Sequence, residues 1–425
     1  MEAYAEVLNY AIPFFIILIV IEAFAAKRMG IKINRDSDMI SSISSGITNI
    51  VKEVLGLTVV IISYAWIVDK VAFIEMRATW QVYLVGFIGI DFAGYWRHRL
   101  RHEINFLWNG HISHHTSEEF NLSCGVRLPF TRFFSIVNFF LIPAAFFGVP
   151  KEVIGILMPL HFFLQFWYHT RLIKKMGWLE YLLVTPSHHR VHHAINPEYL
   201  DKNYGNVFIL WDKLFNTFQP ELEEVPPVYG VKRPVKTWNP ILINFQHLWL
   251  LIKDAWRTNN YWDKLRIWLM PTGWRPPDVI EKYPVPDVSD VFHLEKYDSK
   301  PSGALLTWVW FQLIIALVLM LFLFNRITEV GFPEVFIYGA FLFASAFSYT
   351  ALLDKAYYAL PAEILRGGFG LMLIWWQGGW FGMETLFPGS TFLMISFLMG
   401  SLGAAGYFYF TEIREKEDVG LKFKN

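Results

Sequence analysis

The apolar positions of this chain gather in long blocks separated by short polar runs. A helix needs about 20 mostly apolar residues to cross the hydrocarbon core of a bilayer. Blocks of that kind cover Tyr10–Ala26, Ser44–Ile67, Trp80–Trp96, Gly303–Asn325, Phe332–Leu353, Gly367–Phe387 and Thr391–Phe410. Between Phe133 and Trp167 a longer stretch is interrupted by Pro143, Gly148 and Pro150, which reads as a hairpin whose arms enter and leave by one side. The pattern predicts an all-α, polytopic integral membrane protein with about nine transmembrane or re-entrant helices. Residues 1–79 are expected to hold N-terminal spans, 80–302 the chemistry and a polar cap, and 303–425 C-terminal spans. The first block contains Glu22 and lacks a basic leader, so it reads as a retained span rather than a cleaved signal.

Basic residues give the expected orientation. Lys27, Arg28, Lys32 and Arg35 follow the first block, whereas the next loop holds only Lys70 and Arg77. Loops rich in lysine and arginine stay on the cytosolic side. Counting onward, Arg97–Pro129 and Tyr168–Ser302 fall on that side too, as does the tail with Arg414, Lys416, Lys422 and Lys424. The expected setting is an integral membrane protein with its chemistry facing the cytosol, in the endoplasmic reticulum of a eukaryote or the inner membrane of a bacterium. Tyr168–Ser302, punctuated by Pro220, Pro226, Pro227, Pro234 and Pro240, reads as a cytosolic cap. Within it, Asp254–Trp268 mixes tryptophan with charge, which fits either a helix lying in the membrane interface or a surface helix of the cap.

Composition narrows the function. The chain of 425 residues is 54% hydrophobic and 17% charged, below the roughly 25% charge of soluble domains, which excludes disorder. Lysine and arginine total 37, as do aspartate and glutamate, so the basic excess of a nucleic-acid-binding protein is missing. Cys124 is the single cysteine, which excludes internal disulfides and cysteine-rich zinc modules.

Histidine is the anomaly: 11 of 13 lie between His98 and His193. His98 and His102 are four apart, hence on one helix face, and Asp91, seven before His98, shares it. His111, His114 and His115 repeat the pattern, as do His189, His192 and His193, preceded by His188. His169 stands apart from the clusters. Imidazole suits iron, zinc, copper and nickel. One zinc ion takes about four ligands, so eight or nine converging histidines imply two metal ions. A metalloprotease reading fails, because His102-Glu103 is followed by Phe106 where a second histidine is required. Ligating histidines donate their other N–H to a carboxylate or carbonyl. Asp91, Glu118 and Asp201 are the candidate catalytic carboxylates, with Asp91 and Asp201 favoured as partners of the imidazoles. His161 reads as a hydrogen-bonded core residue, and His247 and His293 belong to no cluster.

The run from Asp91 through His98-Arg-Leu-Arg-His102, the run His114-His115-Thr-Ser-Glu118-Glu-Phe-Asn121, and Thr185-Pro-Ser-His188-His189-Arg-Val-His192-His193 followed by Asp201-Lys-Asn-Tyr-Gly205 resemble the fatty acid hydroxylase (sterol desaturase) superfamily, and within it the ether-lipid branch. The resemblance covers Trp80–Pro220. It implies a membrane monooxygenase with two iron ions that uses O2 to hydroxylate a lipid C–H bond. For the ether-lipid branch it further implies tetrahydrobiopterin as reductant and an alkylglycerol substrate, cleaved to a fatty aldehyde and a glycerol. Carried over by motif, the metal ligands are His98, His102, His111, His114, His115, His189, His192 and His193, with His169 a ninth. Gln165 stands where some relatives have a further ligand. Glu118 and Asn121 are candidates for holding a pterin or a head group. The implied partners are a membrane lipid, O2 and an electron donor, either a pterin or a redox protein, with no nucleic acid.

Other readings make different demands. A hydroxylase or desaturase of a sterol, fatty acyl chain or amino-acid lipid would use the same histidines. A metal transporter or sensor would need histidines or carboxylates along the spans, which are nearly free of them, His161, Glu22 and Glu384 being the exceptions. A membrane zinc hydrolase would leave five histidines idle.

Overall fold

A computed structural model describes residues 2–135 and 137–414. Its main helices are α1 (Glu2–Met29), α2 (Asp36–Val54), α3 (Tyr64–Val71), α4 (Trp80–Glu103), α5 (Ile112–His115), α6 (Lys151–Phe163), α7 (Pro186–His192), α8 (Pro240–Arg257), α9 (Tyr261–Arg266), α10 (Gly303–Asn325), α11 (Glu334–Leu353), α12 (Ala359–Gln377) and α13 (Ser390–Phe408). The described residues contain one sheet, a parallel pairing of β1 (Val59–Val60) with β2 (Phe134–Ser135). The chain is helical, as its pattern predicts.

Among the described residues, four helical segments are long and apolar enough to cross a membrane: Tyr4–Met29, α10, α11 and Ser390–Ile413. The remaining blocks are built differently. Ser44–Ile67 is not one helix. α2 ends at Val54, Gly56 turns the chain with φ +67°, and β1 and α3 follow. α2 is also polar and yet enclosed by protein, with Ser41, Ser42, Ser44, Ser45 and Thr48 all fully buried. Hydropathy cannot separate a helix buried in protein from one buried in lipid. Gly367–Phe387 likewise resolves into α12, which ends at Gln377 and carries the buried pair Glu363 and Arg366.

The expected hairpin turns where its sequence breaks. A short helix at Ile142–Phe146 leads through Gly148 and Pro150 into α6. Gly148 has φ +68°, and a Cβ there would lie 1.7 Å from the Ile74 carbonyl oxygen, so no other residue fits. Ile136, in the first arm, lies outside the described residues, as do Lys416, Lys422 and Lys424 of the tail. The Asp254–Trp268 segment is two helices, because Thr258–Asn260 breaks it and Asn260 caps α9.

Two apolar cores flank the histidine-bearing segments. α1 and α2 share one with the C-terminal helices, through Ile40, Ile47 and Val51 of α2 against Leu313, Phe341 and Leu398. The other joins α3, α4 and the hairpin through Ile67, Ile90, Ala144, Val153 and Leu157. Each fully buried side chain of this kind contributes about 1.5–3 kcal/mol, which anchors α2 in one core and α4, the carrier of His98 and His102, in the other.

Candidate metal centre

Each histidine cluster is placed by a different local device. α4 continues unbroken past its apolar part, so His98 and His102 sit one turn apart on its buried face. His111 caps the single turn of α5, which presents His114 and His115. α7 starts at the N-cap Thr185 with Pro186 in its first turn, and the His188 ring reaches back to complete a capping box. That use of His188 leaves His189, His192 and His193 to point inward. His169 follows α6 on the chain leaving the hairpin.

The structure brings the nine candidate ligands into two groups. His98, His102, His111, His115 and His192 form one, and His114, His169, His189 and His193 the other, with the candidate ligand atoms of each group within 4.8 Å of one another. Eight of the nine are under a tenth exposed, and His111 is half-buried. Nε2 of His111 lies 2.9 Å from Nε2 of His98 and 3.0 Å from Nε2 of His115. In the second group, Nε2 of His189 lies 2.9 Å from that of His169 and 3.0 Å from that of His193. Nitrogens bound about 2.1 Å from one ion sit about 3 Å apart when adjacent in its coordination sphere.

The opposite ring nitrogens show why a cation belongs there. The Nδ1–H of His98 donates to the Tyr204 carbonyl (2.8 Å), that of His192 to Lys202 (3.0 Å), that of His114 to Arg127 (3.2 Å) and that of His169 to Phe166 (3.2 Å). A carbonyl only accepts, so these four neutral rings carry their proton on Nδ1 and leave Nε2 bare. The bare Nε2 atoms of His114 and His169 then face each other at 3.3 Å. Two lone pairs so placed repel unless a cation lies between them. In the first group, the buried Nε2 atoms of His102 and His192 have no hydrogen-bond partner. Protons are poor candidates for the cation. Burial drives the pKa of His111, His114, His115, His189 and His193 well below the usual imidazole value, and neighbouring imidazoles push the same way. Neutral imidazole is the metal-ligating form, and donor sets of nitrogen alone suit a first-row transition metal rather than magnesium or calcium. The residues fit two metal ions.

Aromatic rings pack on one histidine after another. Trp108 packs on His102, with ring centroids 4.8 Å apart, Tyr168 on His189 at 4.3 Å, and Phe120 on His193 at 5.2 Å. A cavity of about 350 Å³ opens beside His102, His115, His192 and His193, walled by Asp201, Lys232, Arg233 and His247.

The three candidate carboxylates lie elsewhere than expected. None hydrogen-bonds to the nine imidazoles among the described residues. Asp91 is fully buried and accepts from His161 Nε2 (2.7 Å), the amides of Val207 (2.9 Å) and Phe208 (3.0 Å), and Trp211 Nε1 (2.9 Å). It fastens the chain after Tyr204 to α4, because a buried carboxylate is stable only when its oxygens are filled. Glu118 accepts from the Tyr297 amide (2.7 Å) and pairs with Arg35. Asn121 caps the turn Leu122–Gly125 and donates to the Ile33 carbonyl (2.8 Å). Asp201 lines the cavity. Gln165 donates to His161 and joins neither group. His247 is buried against the Asn105 carbonyl, and exposed His293 pairs with Asp290.

The partners that do orient the rings are backbone carbonyls, for which sequence carries no signal. Two side chains hold those carbonyls. Asp212 accepts from the amides of Tyr204 and Gly205, both at 2.7 Å. Buried Arg127 pairs with Asp38 of α2 (2.8 Å) and donates to Thr116 (3.0 Å), locking α5 against α2.

Residues 83–217 match the model of the fatty acid hydroxylase family. The chain is 33% identical to an alkylglycerol monooxygenase of Xenopus tropicalis, over 76% of this chain and 72% of the relative. Identity to an alkylglycerol monooxygenase of Danio rerio is 32%, over 94% of this chain and 88% of the relative. With the Homo sapiens protein of that name it is 36%, over 65% and 62%. No solved structure matches the chain.

Proposed function

The chain belongs to the alkylglycerol monooxygenase family, and from that premise we propose that this lipid monooxygenase hydroxylates the ether-bearing carbon of an alkylglycerol at two iron ions held by nine histidines. The observation that carries the metal part of this reading is the pair of bare, buried nitrogens of His114 and His169 facing each other at 3.3 Å. His98, His102, His111, His115 and His192 would hold one ion, and His114, His169, His189 and His193 the other. Bound iron would supply the O2-activating redox chemistry that side chains lack.

The side chains set the conditions for that chemistry. Carbonyls of Tyr204, Lys202, Arg127 and Phe166 hold four rings in one tautomer, so their lone pairs are aimed before metal arrives. Trp108, Phe120 and Tyr168 cover His102, His193 and His189 and so narrow the access of water to the side facing the cavity, which limits hydrolysis and stray proton transfer. Overall, one oxygen atom enters the C–H bond beside the ether oxygen and the other leaves as water, with two electrons and two protons from the reductant. The hemiacetal so formed collapses to a fatty aldehyde and a glycerol. We assign the reductant to tetrahydrobiopterin. The cavity lined by Asp201, Lys232 and Arg233 offers a polar route for a soluble donor of that size. Beyond the four candidate spans, the stretch from α2 through α3, α4 and α12 are assigned to the membrane as further crossings and the hairpin as a re-entrant pair, which keeps the cap and Glu412, bonded to Ser302 at the start of α10, on the cytosolic side.

Metal analysis of the purified protein, followed by product analysis with an alkylglycerol, O2 and tetrahydrobiopterin, tests the reading. Two irons per chain and pterin-dependent aldehyde are expected. Zinc alone at one per chain would sink the assignment. Aldehyde formed only with ferredoxin would refute the pterin, and turnover only of another lipid would refute the ether substrate.

A further inference from the structure

α8 wears its apolar side outward. Leu242, Phe245, Trp249, Ile252 and Trp256 recur at alternating steps of three and four, which places them on one face of the helix. That face is exposed, with Trp249 at 58% and Trp256 at 85%. The buried face packs Ile243 and Leu251 inward and carries the polar side chains of the helix's middle beside them. Asn244 accepts from the Phe130 amide (3.1 Å), His247 donates to the Asn105 carbonyl (3.2 Å), and Asp254 holds Arg275 (2.5 Å). α9 continues the exposed surface with Tyr261, Trp262 and Leu265, each more than 60% exposed. A helix of the cap with polar contacts inside and an aliphatic–aromatic stripe outside is not built to face water.

The helix also starts at a membrane span. Thr237 and the Trp238 amide bond to Asp354 just beyond α11, and Asn239 donates to the carbonyl of Phe347 within it (3.1 Å). Phe130 stacks edge-on to both Phe245 of α8 and Phe343 of α11. The outer stripe of α8 is thus continuous with the side of a helix apolar enough to cross a bilayer. Tryptophan and tyrosine concentrate where a protein crosses the membrane–water boundary, and basic Lys253 and Arg257 stand on the same helix as the stripe, a charge that favours anionic lipid.

We propose that α8 and α9 form an in-plane membrane helix pair that seats the cap on the bilayer, with Leu242, Phe245, Trp249, Ile252 and Trp256 in lipid. The inner face of α8 reaches the metal-binding layer, where Asn244 lies against Ser113 and His247 lines the cavity beside His102 and His115. The metal centre then sits one helix thickness from lipid, and a lipid chain reaches it laterally without crossing water.

Single cysteines at Phe245, Trp249, Ile252 and Trp256 (F245C, W249C, I252C, W256C), carrying nitroxide labels in the full chain in nanodiscs of phosphatidylcholine and phosphatidylglycerol, test this. Native Cys124 is retained, since it is buried and stays unlabelled. Collisions with O2 should exceed those with a water-soluble nickel chelate severalfold at all four sites, and E224C, exposed in the cap, should show the reverse. Circular dichroism verifies the fold of each variant, and each site is read independently. Preferential collision with the nickel chelate at these sites would overturn the proposal. Spin–spin broadening that disappears on dilution with unlabelled protein would overturn it too, by showing that a second copy covers the face. Neither outcome depends on activity, so the oxygenase reading stands or falls separately.

Discussion

A backbone carbonyl can only accept a hydrogen bond, and that asymmetry decides which nitrogen of His98, His114, His169 and His192 is free. Adjacent histidines in one motif consequently have unlike fates. His189 lies 2.9 Å from His169 in the four-histidine group, while His188 serves as a helix cap. His189→Ala is expected to lower bound metal from two ions per chain to one, and His188→Ala to retain both while costing about 1 kcal/mol, the usual worth of a cap. Metal analysis and thermal melting of the two variants separate the roles, and equal metal loss in both would contradict them. The spacing of the histidines was legible in the sequence because imidazoles are rare and helical periodicity sets their faces. Their orienting partners were not, since every residue has a carbonyl and only the path of the chain selects Tyr204 or Arg127. Spacing puts Asp91 on one face with His98, but its oxygens are taken by Val207, Phe208, Trp211 and His161. Cys124 makes a further residue-scale test. Its thiol is fully buried, and burial pushes its pKa up to about 12. A maleimide should therefore leave the native protein unlabelled and react once a denaturant unfolds it; rapid native labelling would refute the packing around Ser117 and Glu119.

Among the elements, α2 and α12 show what hydropathy does and does not reveal. Both overlap apolar-looking blocks and begin before them, and both bury polar side chains against protein, so their inner surfaces are set by partners distant in sequence. α12 is the sharper case. Glu363 and Arg366 pair with each other inside the C-terminal bundle, and Ser348 of α11 and Ser401 of α13 donate to Glu363 at 2.5 Å and 2.6 Å. Arg366 also lies over the Phe341 and Phe397 rings. An enclosed ion pair whose every lone pair is filled holds three helices in one register, and removing one partner strands the other charge. Glu363→Ala should cost about 3–5 kcal/mol, whereas the double replacement Glu363→Leu with Arg366→Met should recover much of that loss. Thermal unfolding of the detergent-solubilised protein reads the difference. A single variant as stable as the parent would mean that the pair contributes no register. Asp91 plays a similar part for α4, because Asp91→Ala would leave the amides of half-buried Val207 and Phe208 unpaired at up to about 1–3 kcal/mol each. Since that segment carries the Tyr204 carbonyl, metal affinity should fall along with stability, although Asp91 touches no candidate ligand.

At the scale of the whole molecule, the chain combines two apolar cores with a layer of neutral imidazoles, and only the imidazole layer depends on metal. The core that joins α1 and α2 to α10–α13 is held by aliphatic and aromatic contacts such as Ile47, Leu313 and Phe341. The layer itself is the end of α4, α5, the chain around His169, and α7, and these segments converge on nine nitrogens with little apolar surface of their own. Without an ion, the facing lone pairs of His114 and His169 repel, and the unpartnered Nε2 atoms of His102 and His192 remain buried at a cost of about 1–3 kcal/mol each. A ligand that binds only the folded form adds stability where it binds, so chelation should loosen the layer and spare the bundle. Hydrogen exchange followed by mass spectrometry, with and without a chelator, gives the test. Faster exchange is expected over 98–116, 166–170 and 186–205, together with unchanged protection over 303–325 and 334–353. Uniform loosening of both regions would mean that the C-terminal bundle depends on the metal layer for its stability. No change anywhere would mean that the imidazoles are held by packing alone, and the case for the ions as part of the fold would fail.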